Sequence, residues 1–326
     1  MRMKKKFVTL VVSLLLLLII SRGAIAVRIK ISGTDNIQAY DLNSTRDTNI
    51  VNYNPHDPIY IEGNSDFTEE NGVTGGDGTR NNPYIIEGWE IDSSNMDGIT
   101  IKKVDVYFIV RNCKIQGNNE YNGIYFTNVK NSVISNVTVS NNEYGIFIVS
   151  SSNNRISKCE IMDSESAGIS FASSHNNIIE NCHIIEGDYT ILLVFSRNNK
   201  ISHCLLCGGD PAMGLMYSRN NEILSCEITQ SYNGIYLLLS LKNKIHYCNF
   251  YDNLVSRDQT FPYAVVTFYS NVDARENWWN SPEGPSNFIF QDRGEGAVNI
   301  PPMIPSRAAI NYLNWLTEPN PDAGPQ

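Results

Sequence analysis

The chain has 326 residues, a formal net charge of -9 and a hydrophobic content of 42%. With 22 Gly and 13 Pro it is neither collagen-like nor compositionally disordered, and its acidic balance argues against nucleic-acid binding, which depends on Lys and Arg. Asparagine occurs 40 times, and because Asn favours turns over helices and strand interiors, long helices are not expected.

Residues 1–26 predict an export signal. Three lysines at 4–6 precede an apolar run over 7–20, and Ala24-Ile25-Ala26 supplies the small residues expected before a cleavage site. The run is short for a bilayer span, so an uncleaved membrane anchor is the weaker alternative. Cleavage would leave a mature charge of -14. We expect an exported protein in the periplasm, at the cell surface or outside the cell, with no membrane span after cleavage.

Residues 27–80 are polar and rich in turn formers, and only Ile59 to Ile61 suggests a strand. The Gly75-Gly76-Asp77-Gly78 loop lacks the Lys-Ser/Thr ending of a phosphate-binding loop, so it is interpreted as a tight turn. We expect this segment to cap the open first coil of the repeat that follows.

A repeat of about 22 residues dominates residues 81–280. Each unit begins with a small residue followed by an apolar one. These anchors are Gly98-Ile99, Gly123-Ile124, Gly145-Ile146, Gly168-Ile169, Thr190-Ile191, Ala212-Met213 and Gly234-Ile235. Downstream of the anchors, Asn, Ile and Cys recur at fixed offsets, and the cysteines of this row are Cys159, Cys182, Cys204, Cys226 and Cys248.

Three short alternating strands per unit cannot bury an apolar face alone, but stacked units can pair each strand in parallel with its copy in the next unit. The repeat therefore predicts an all-β fold. The expected architecture is one right-handed parallel β-helix of about eight to nine coils, with capping flanks at both ends. A leucine-rich repeat is excluded because its Leu pattern and helical segment are missing.

Residues 281–326 form a Pro-rich tail. Just before it, Trp278 and Trp279 are expected to close the far end of the helix, because aromatic side chains cover exposed core efficiently.

Three stretches suggest a family. They are Pro83 to Trp89 with Asn112-Cys113, the repeated Gly-Ile and Asn-Asn-x-Ile-x-x-Cys units, and Asn277 to Pro285. Over residues 58–285 the chain resembles the periplasmic copper-binding (NosD-type) β-helix family and, equally, the class of carbohydrate-binding and sugar hydrolase (pectin lyase-like) β-helices. The resemblance implies the fold and leaves the activity open, because many functions share this repeat.

The cysteines are expected to form a ladder of buried thiols. Residues stacked in adjacent coils lie about 4.8 Å apart, whereas a relaxed disulfide needs Cβ atoms about 3.8 Å apart. Disulfides remain the alternative in an exported protein. The single Cys204-x-x-Cys207 lacks the βαβ setting of a redox motif.

The outer face of the Gly-Ile strands carries no carboxylate, so no catalytic residue is assigned there. It does offer three aromatic side chains, Tyr125, Phe147 and Tyr236, as candidate carbohydrate-binding residues. The alternative is that a flanking segment covers this apolar strip.

The loops before the Gly-Ile strands carry about one acid per coil. Glu143, Glu165, Asp188 and Asp210 form a candidate cation-binding ridge, with weak Ca²⁺ binding as the specific hypothesis and ordinary solubility as the alternative. No other cofactor is expected.

No metal site is assigned, because His175, His183, His203 and His246 fall at four different positions of the repeat.

The leading hypothesis is a non-catalytic exported protein that binds a polysaccharide or a cell-surface glycan. The alternatives are a polysaccharide lyase or glycoside hydrolase using loop carboxylates such as Glu165 and Asp188, and a copper-delivery accessory protein.

Overall fold

The computed structural model describes residues 52–253, 263–285, 296–300 and 309–326. The predicted export signal lies outside these residues. Within them the chain is all-β, with two 3₁₀ turns at Asn64–Asp66 and Glu69–Asn71. No helix in this part of the chain has the length and apolar character needed to cross a membrane.

The strands form three sheets. Sheet A contains β1 (Asn54–His56), β5 (Trp89–Asp92), β8 (Lys114–Gln116), β11 (Thr138–Ser140), β14 (Glu160–Met162), β17 (His183–Ile185), β20 (Leu205–Cys207), β23 (Glu227–Thr229) and β26 (Asn249–Tyr251). Sheet B contains β2 (Ile59–Glu62), β6 (Ile99–Val104), β9 (Ile124–Val129), β12 (Tyr144–Val149), β15 (Ala167–Ala172), β18 (Tyr189–Val194), β21 (Met213–Met216), β24 (Asn233–Leu238), β27 (Tyr263–Phe268) and β29 (Gly296–Ile300). Sheet C contains β3 (Val73–Gly75), β4 (Tyr84–Glu87), β7 (Phe108–Arg111), β10 (Ser132–Ser135), β13 (Arg155–Ser157), β16 (Ile178–Glu180), β19 (Lys200–Ser202), β22 (Glu222–Leu224), β25 (Asn243–His246), β28 (Asn271–Asp273) and β30 (Ala309–Asn311).

The chain visits the sheets in the order B, C, A, and each strand pairs in parallel with its copy in the next coil, except for the antiparallel pair β3–β4. The predicted all-β parallel β-helix is confirmed. Seven complete coils run from Ile99 to Tyr251. The predicted eight to nine coils were slightly too many, because the outermost coils are built from flanking strands that do not keep the 22-residue spacing.

The core consists of the inward residues of all three sheets. On sheet B, Ile146, Ile169 and Ile191 pair directly in register and are fully buried. The predicted anchors therefore form a continuous row of buried side chains along the core. Burying one such side chain contributes about 1.5–3 kcal/mol.

The turn from sheet B to sheet C, here called the B–C turn, is held by a ladder of buried amides. Asn177 shows the pattern: its Oδ1 accepts from the backbone N–H of Asn154 at 3.0 Å and from the Asn154 side chain at 3.1 Å. Its own N–H donates to Asn199 Oδ1 at 2.9 Å. The ladder satisfies turn N–H groups that no sheet bond reaches. Its members are Asn154, Asn177, Asn199, Asn221 and Asn243.

All seven cysteines are buried and free. The five of the repeat follow the turn from sheet C to sheet A, the C–A turn, and their thiols donate to nearby backbone carbonyls, as in Cys159 to Ser157 at 3.3 Å. Burial raises the pKa of Cys113 and of Cys207 to about 11. The structure therefore has the thiol ladder, and Cys204 and Cys207 are not bonded to each other.

Some of the residues predicted to cap the first coil belong to the sheets. β1 and β2 are the first strands of sheets A and B, and β3 adds the antiparallel strand at the edge of sheet C. The capping function of residues 27–80 stays a prediction. At the far end, Trp279 is fully buried and stacks on Phe250 at 5.1 Å.

Residues 312–326, the C-terminal strap, lie along the C–A turns. The Asn320 N–H donates to Asn249 Oδ1 at 2.8 Å, and the Gly324 N–H donates to the Ser225 carbonyl at 3.0 Å. The Gln326 N–H donates to Asn181 Oδ1 at 3.2 Å. The strap therefore passes several coils on the side of the helix where sheets C and A meet.

Candidate functional site

The outer face of sheet B holds the candidate binding residues, and one outward position recurs in register along it. Its members from β2 to β27 are Tyr60, Thr100, Tyr125, Phe147, Ser170, Leu192, Gly214, Tyr236 and Val266. From Thr100 to Tyr236 this is the row that alternation predicts from the sequence.

Tyr125 and Phe147 lie on adjacent coils with ring centroids 5.7 Å apart. A third ring joins them, because Tyr144 stacks on Phe147 at 4.6 Å with an interplanar angle of 18°. All three side chains are half-buried. The structure therefore brings together two of the three predicted aromatic residues and adds one that was not predicted.

Tyr236 lies four coils from Phe147 in the same row, about 19 Å away at roughly 4.8 Å per coil. Between them, Gly214 is covered by the Tyr189 ring: a Cβ at Gly214 would lie 2.8 Å from Tyr189 Cε1. Burial raises the pKa of Tyr189 to about 12, with smaller contributions from Asp188, Asp210 and Tyr236. From Phe147 to Tyr236 the face thus carries rings and aliphatic groups, interrupted by the buried Ser170.

Sequence reasoning missed Tyr144 and Tyr189, which precede the outward position by three residues. Both occupy the first position of a sheet B strand and follow an acid, in Glu143-Tyr144 and Asp188-Tyr189. This acid-Tyr pair before the anchor was the available signal. Tyr60 was also missed; it is 50% exposed, and the Lys102 ammonium lies 5.0 Å from its ring centre and 5.8 Å from that of Tyr125.

The described flanks leave this face open. β1, β2 and β3 extend the three sheets at their edge, and the C-terminal strap lies at the C–A turns. Within the described residues, no flanking segment therefore covers the row from Tyr125 to Tyr236.

The acidic ridge lies at the turn from sheet A to sheet B, the A–B turn. Its residues occupy successive coils: the Asp188 N–H donates to the Glu165 carbonyl at 3.3 Å, and the Asp210 N–H to the Asp188 carbonyl at 2.9 Å. Burial, with Glu165 and then Asp210 adding negative charge, raises the pKa of the Asp188 carboxyl. Burial and the charges of Glu165 and Asp97 do the same for Glu143. The ridge is a row of mutually repelling carboxylates.

The described residues contain no group of three or more His, Cys, Asp or Glu side chains arranged to hold a metal ion. His175 lies at a B–C turn and His203 at a C–A turn, while His183 is on sheet A and His246 on sheet C. The His246 imidazole faces Asp273 at 3.3 Å and Glu276 at 3.9 Å. Within the described residues the four histidines are therefore not brought together as a copper centre would require, and cation binding by the ridge stays a prediction.

Two family models match the chain, although neither alone spans half of it. One, described as right handed beta helix region, matches residues 73–212. The other, described as periplasmic copper-binding protein (NosD), matches residues 166–284. No match was found among curated protein sequences.

Solved structures share the fold at low identity. The enzymatically active domain of tailspike protein 2 from bacteriophage CBA120 is 13% identical with a TM-score of 0.58, covering 79% of this chain and 42% of that one. This chain thus spans less than half the length of that domain. The mannuronan C-5 epimerase AlgE4 A-module of Azotobacter vinelandii is 12% identical with a TM-score of 0.42, covering 70% of this chain and 68% of that one.

The similarity to the tailspike domain establishes the fold alone. The three observed sheets and the two family matches confirm the resemblance drawn from the repeat: the chain is a right-handed parallel β-helix repeat protein, and residues 166–284 resemble the NosD family.

Proposed function

We propose that this protein binds carbohydrate non-catalytically along the outer face of sheet B. The observation that carries the proposal is the neighbouring pair of outward rings, Tyr125 and Phe147, with Tyr236 four coils away in the same row. A row this apolar is uncommon on a protein surface unless it binds something.

The row suits sugar rings for a physical reason. The apolar C–H face of a pyranose packs on an aromatic ring, and Tyr adds a hydroxyl that hydrogen-bonds at the ring edge. Phe147 stacks on Tyr144 and contacts the tilted ring of Tyr125, so these rings are already ordered and binding costs little side-chain entropy. Because the partners repeat with the coil spacing, an extended polymer that runs parallel to the helix axis can contact several of them at once.

The support for carbohydrate is the face itself. Polysaccharides at a cell surface are the class of ligand that combines length with repeated apolar ring faces.

The test is binding of a glycan array by the purified protein and by the double variant Tyr125→Ala/Tyr236→Ala. We expect wild-type binding to at least one polysaccharide and its loss in the double variant. Tyr247→Ala is the matched control, since Tyr247 is an exposed tyrosine at a C–A turn, away from sheet B. Unchanged binding by the double variant contradicts the proposal.

Catalysis is the second candidate, and Asp188 is the observation that favours it. Its carboxyl pKa is raised by burial and by the negative charge of Glu165, and a carboxyl group with a raised pKa is suited to general acid–base chemistry. A lyase or hydrolase using Glu165 and Asp188 would release unsaturated uronates or reducing sugars. That release would disappear in Asp188→Asn, whereas binding alone would persist.

A copper-delivery function is the third candidate and has the least support, because no metal-holding group occurs among the described residues. Elemental analysis of protein dialysed after copper loading tests it directly. We expect no stoichiometric copper.

Export is part of the proposal and rests on residues 1–26, including Ala24-Ile25-Ala26, which lie outside the described residues. N-terminal sequencing of protein recovered from the cell exterior or periplasm should begin after Ala26. Recovery of the intact N-terminus in the cytoplasm would contradict export.

A further inference from the structure

The B–C turns carry bulky side chains in a conformation that disfavours them. In four consecutive coils, the residue after sheet B has a positive φ of 50–53° and a large apolar or aromatic side chain. These residues, the turn ladder, are Phe195, Tyr217, Leu239 and Tyr269. Phe195 and Tyr217 stack at 4.9 Å, and Leu239 and Tyr269 are 42% and 39% exposed.

The backbone does not require these residues. The same turn position in earlier coils is occupied by Asn128, Ser150 and Ser173, with φ of 50–54°. A left-handed conformation suits Asn and small polar residues, whereas a non-glycine side chain there costs roughly 1–2 kcal/mol. The aromatic side chains are thus present despite a conformational cost, which is typical of a functional surface.

Two residues after the turn ladder lies a row of basic side chains. Parallel bridges place His175, Arg197 and Arg219 in register on three successive coils, and both arginines are exposed. Within the described residues, neither arginine has an ion pair. The pKa of His175 is lowered by burial and then by the positive charges of Arg197 and Arg219. Among the residues that the structure describes, Arg197 and Arg219 are therefore two like charges without an ion-pair partner.

The charge of the row contrasts with that of the whole chain. The net charge is -9, and in the coils of the basic row the acids Asp188 and Asp210 lie at the opposite edge of sheet B, on the A–B turns. A sheet B strand of six residues separates the two edges by about 20 Å, which exceeds the screening length of about 8 Å at physiological salt. An anion at the basic row is therefore little affected by the acidic ridge.

We propose that the basic row and the turn ladder together bind an acidic glycan, with sugar carboxylates on Arg197 and Arg219 and sugar rings on Phe195 and Tyr217. This inference rests on the proposed carbohydrate binding and names its ligand class. The guanidinium groups supply charge-assisted hydrogen bonds to carboxylate, and the stacked rings beside them supply the apolar contact. The repeat of both rows at the coil spacing fits a polymer with one carboxylate per sugar ring.

The decisive ligands are polygalacturonate and its fully methyl-esterified form, which have the same backbone and differ in charge. We expect wild-type protein to bind polygalacturonate at least tenfold more tightly than the ester. Arg197→Gln/Arg219→Gln should lower affinity for polygalacturonate by about tenfold and leave affinity for the ester unchanged. Tyr217→Asn should weaken binding of both, because it removes a stacking surface without removing charge.

Lys200→Gln is the matched control, because Lys200 is an exposed cation on the neighbouring strand β19, where it pairs in register with Glu222. It removes one positive charge outside the row and should change neither affinity. The imidazole of His175 gives a second readout by NMR: a carboxylate held by Arg197 and Arg219 offsets their charge, so the pKa of His175 should rise on binding.

Equal affinity of wild-type protein for polygalacturonate and its ester, with binding lost in Tyr125→Ala/Tyr236→Ala, would overturn the acidic-glycan inference and leave the proposed function standing. Absence of binding to any glycan would overturn both. Equally tight binding of dextran sulfate, lowered to the same extent by Lys200→Gln as by the arginine substitutions, would show general attraction of polyanions and would also overturn the inference.

Discussion

The early and late coils of the helix share one backbone and present different surfaces at the B–C turn. In the early coils the turn residue is Ser150 or Ser173, and in the late coils it is Phe195 or Tyr217, with the same φ within a few degrees. The buried ladder beneath them is the same in both halves. The interior thus specifies the coil, and the outer turn residue is free to specify what the coil binds.

The largest expected effect comes from the shared interior. Asn177→Ala in the early half and Asn221→Ala in the late half should each lower the free energy of unfolding by about 3 kcal/mol, because each leaves a buried turn N–H without an acceptor. Chemical denaturation measures both. Asn176→Gly, at an exposed position with φ of 57°, is the control and should be nearly neutral. A large difference between the two ladder variants would show that the halves differ inside as well.

Exchanging turn residues between the halves should have a smaller effect. Ser150→Tyr places an aromatic residue in the left-handed turn of an early coil, where the neighbouring turn residues are Asn128 and Ser173. It therefore lacks the ring partner that Tyr217 has in Phe195, and it should cost about 1 kcal/mol. Tyr217→Asn should change stability by less than about 1 kcal/mol. Asn adopts the left-handed conformation more readily than Tyr, and this gain offsets the lost stacking on Phe195. Thermal denaturation distinguishes the two. If Tyr217→Asn destabilises by several kcal/mol, the turn ladder is structural.

A smaller effect should be the dependence of the free energy of unfolding on pH. The folded pKa of Asp188 and Glu143 is raised, so these carboxyls favour the folded state when protonated, and that contribution is lost as pH rises through their folded pKa. Asp188→Asn should therefore be more stable than wild type at pH 7, with the difference shrinking towards pH 3. Glu120→Gln, which removes an exposed acid of an early coil, is the matched control. If the stability difference between Asp188→Asn and wild type stays constant from pH 7 to pH 3, the raised pKa of Asp188 is contradicted.

The smallest expected change is in the reactivity of the cysteine thiols, because we expect a thiol reagent not to modify them in the folded protein. Cys113 in an early coil and Cys207 in a late coil both have a pKa of about 11 because of burial, so a thiol reagent at pH 8 should leave both unmodified in the folded protein. In denaturant, all seven cysteines should react. Fewer reactive thiols after unfolding would indicate disulfides in place of the ladder.

The sequence was sufficient for the central coils because their spacing is regular. The steps from Ile169 to Ile191 to Met213 place those residues in one buried row, as the periodicity predicts. The first coil was harder to predict, because Ile59 pairs with Ile99 across an interval that breaks the period. The C-terminal strap has no repeat at all, so its position at the C–A turns had no sequence signal.

The candidate site was predicted only in part. Alternation identified Tyr125 and Phe147 as outward neighbours, but not the Tyr144 ring that stacks beside them, because ring direction depends on side-chain torsion more than on register. The turn ladder had a signal that went unused: Phe195 and Tyr217 each precede a Ser-Arg-Asn-Asn segment. The pattern becomes informative once Phe195 and Tyr217 are known to have a positive φ, and that conformation is known only from the folded chain.

The C-terminal strap has a consequence for how the protein unfolds. A solenoid in which each coil contacts only its neighbours can unfold one coil at a time from an end. Here Asn314, Asn320 and Gln326 connect to Glu276, Asn249 and Asn181, which belong to coils that do not all touch one another. The last coil cannot detach without releasing contacts several coils away. The strap thus couples distant coils into one cooperative unit and opposes fraying from the C-terminal end.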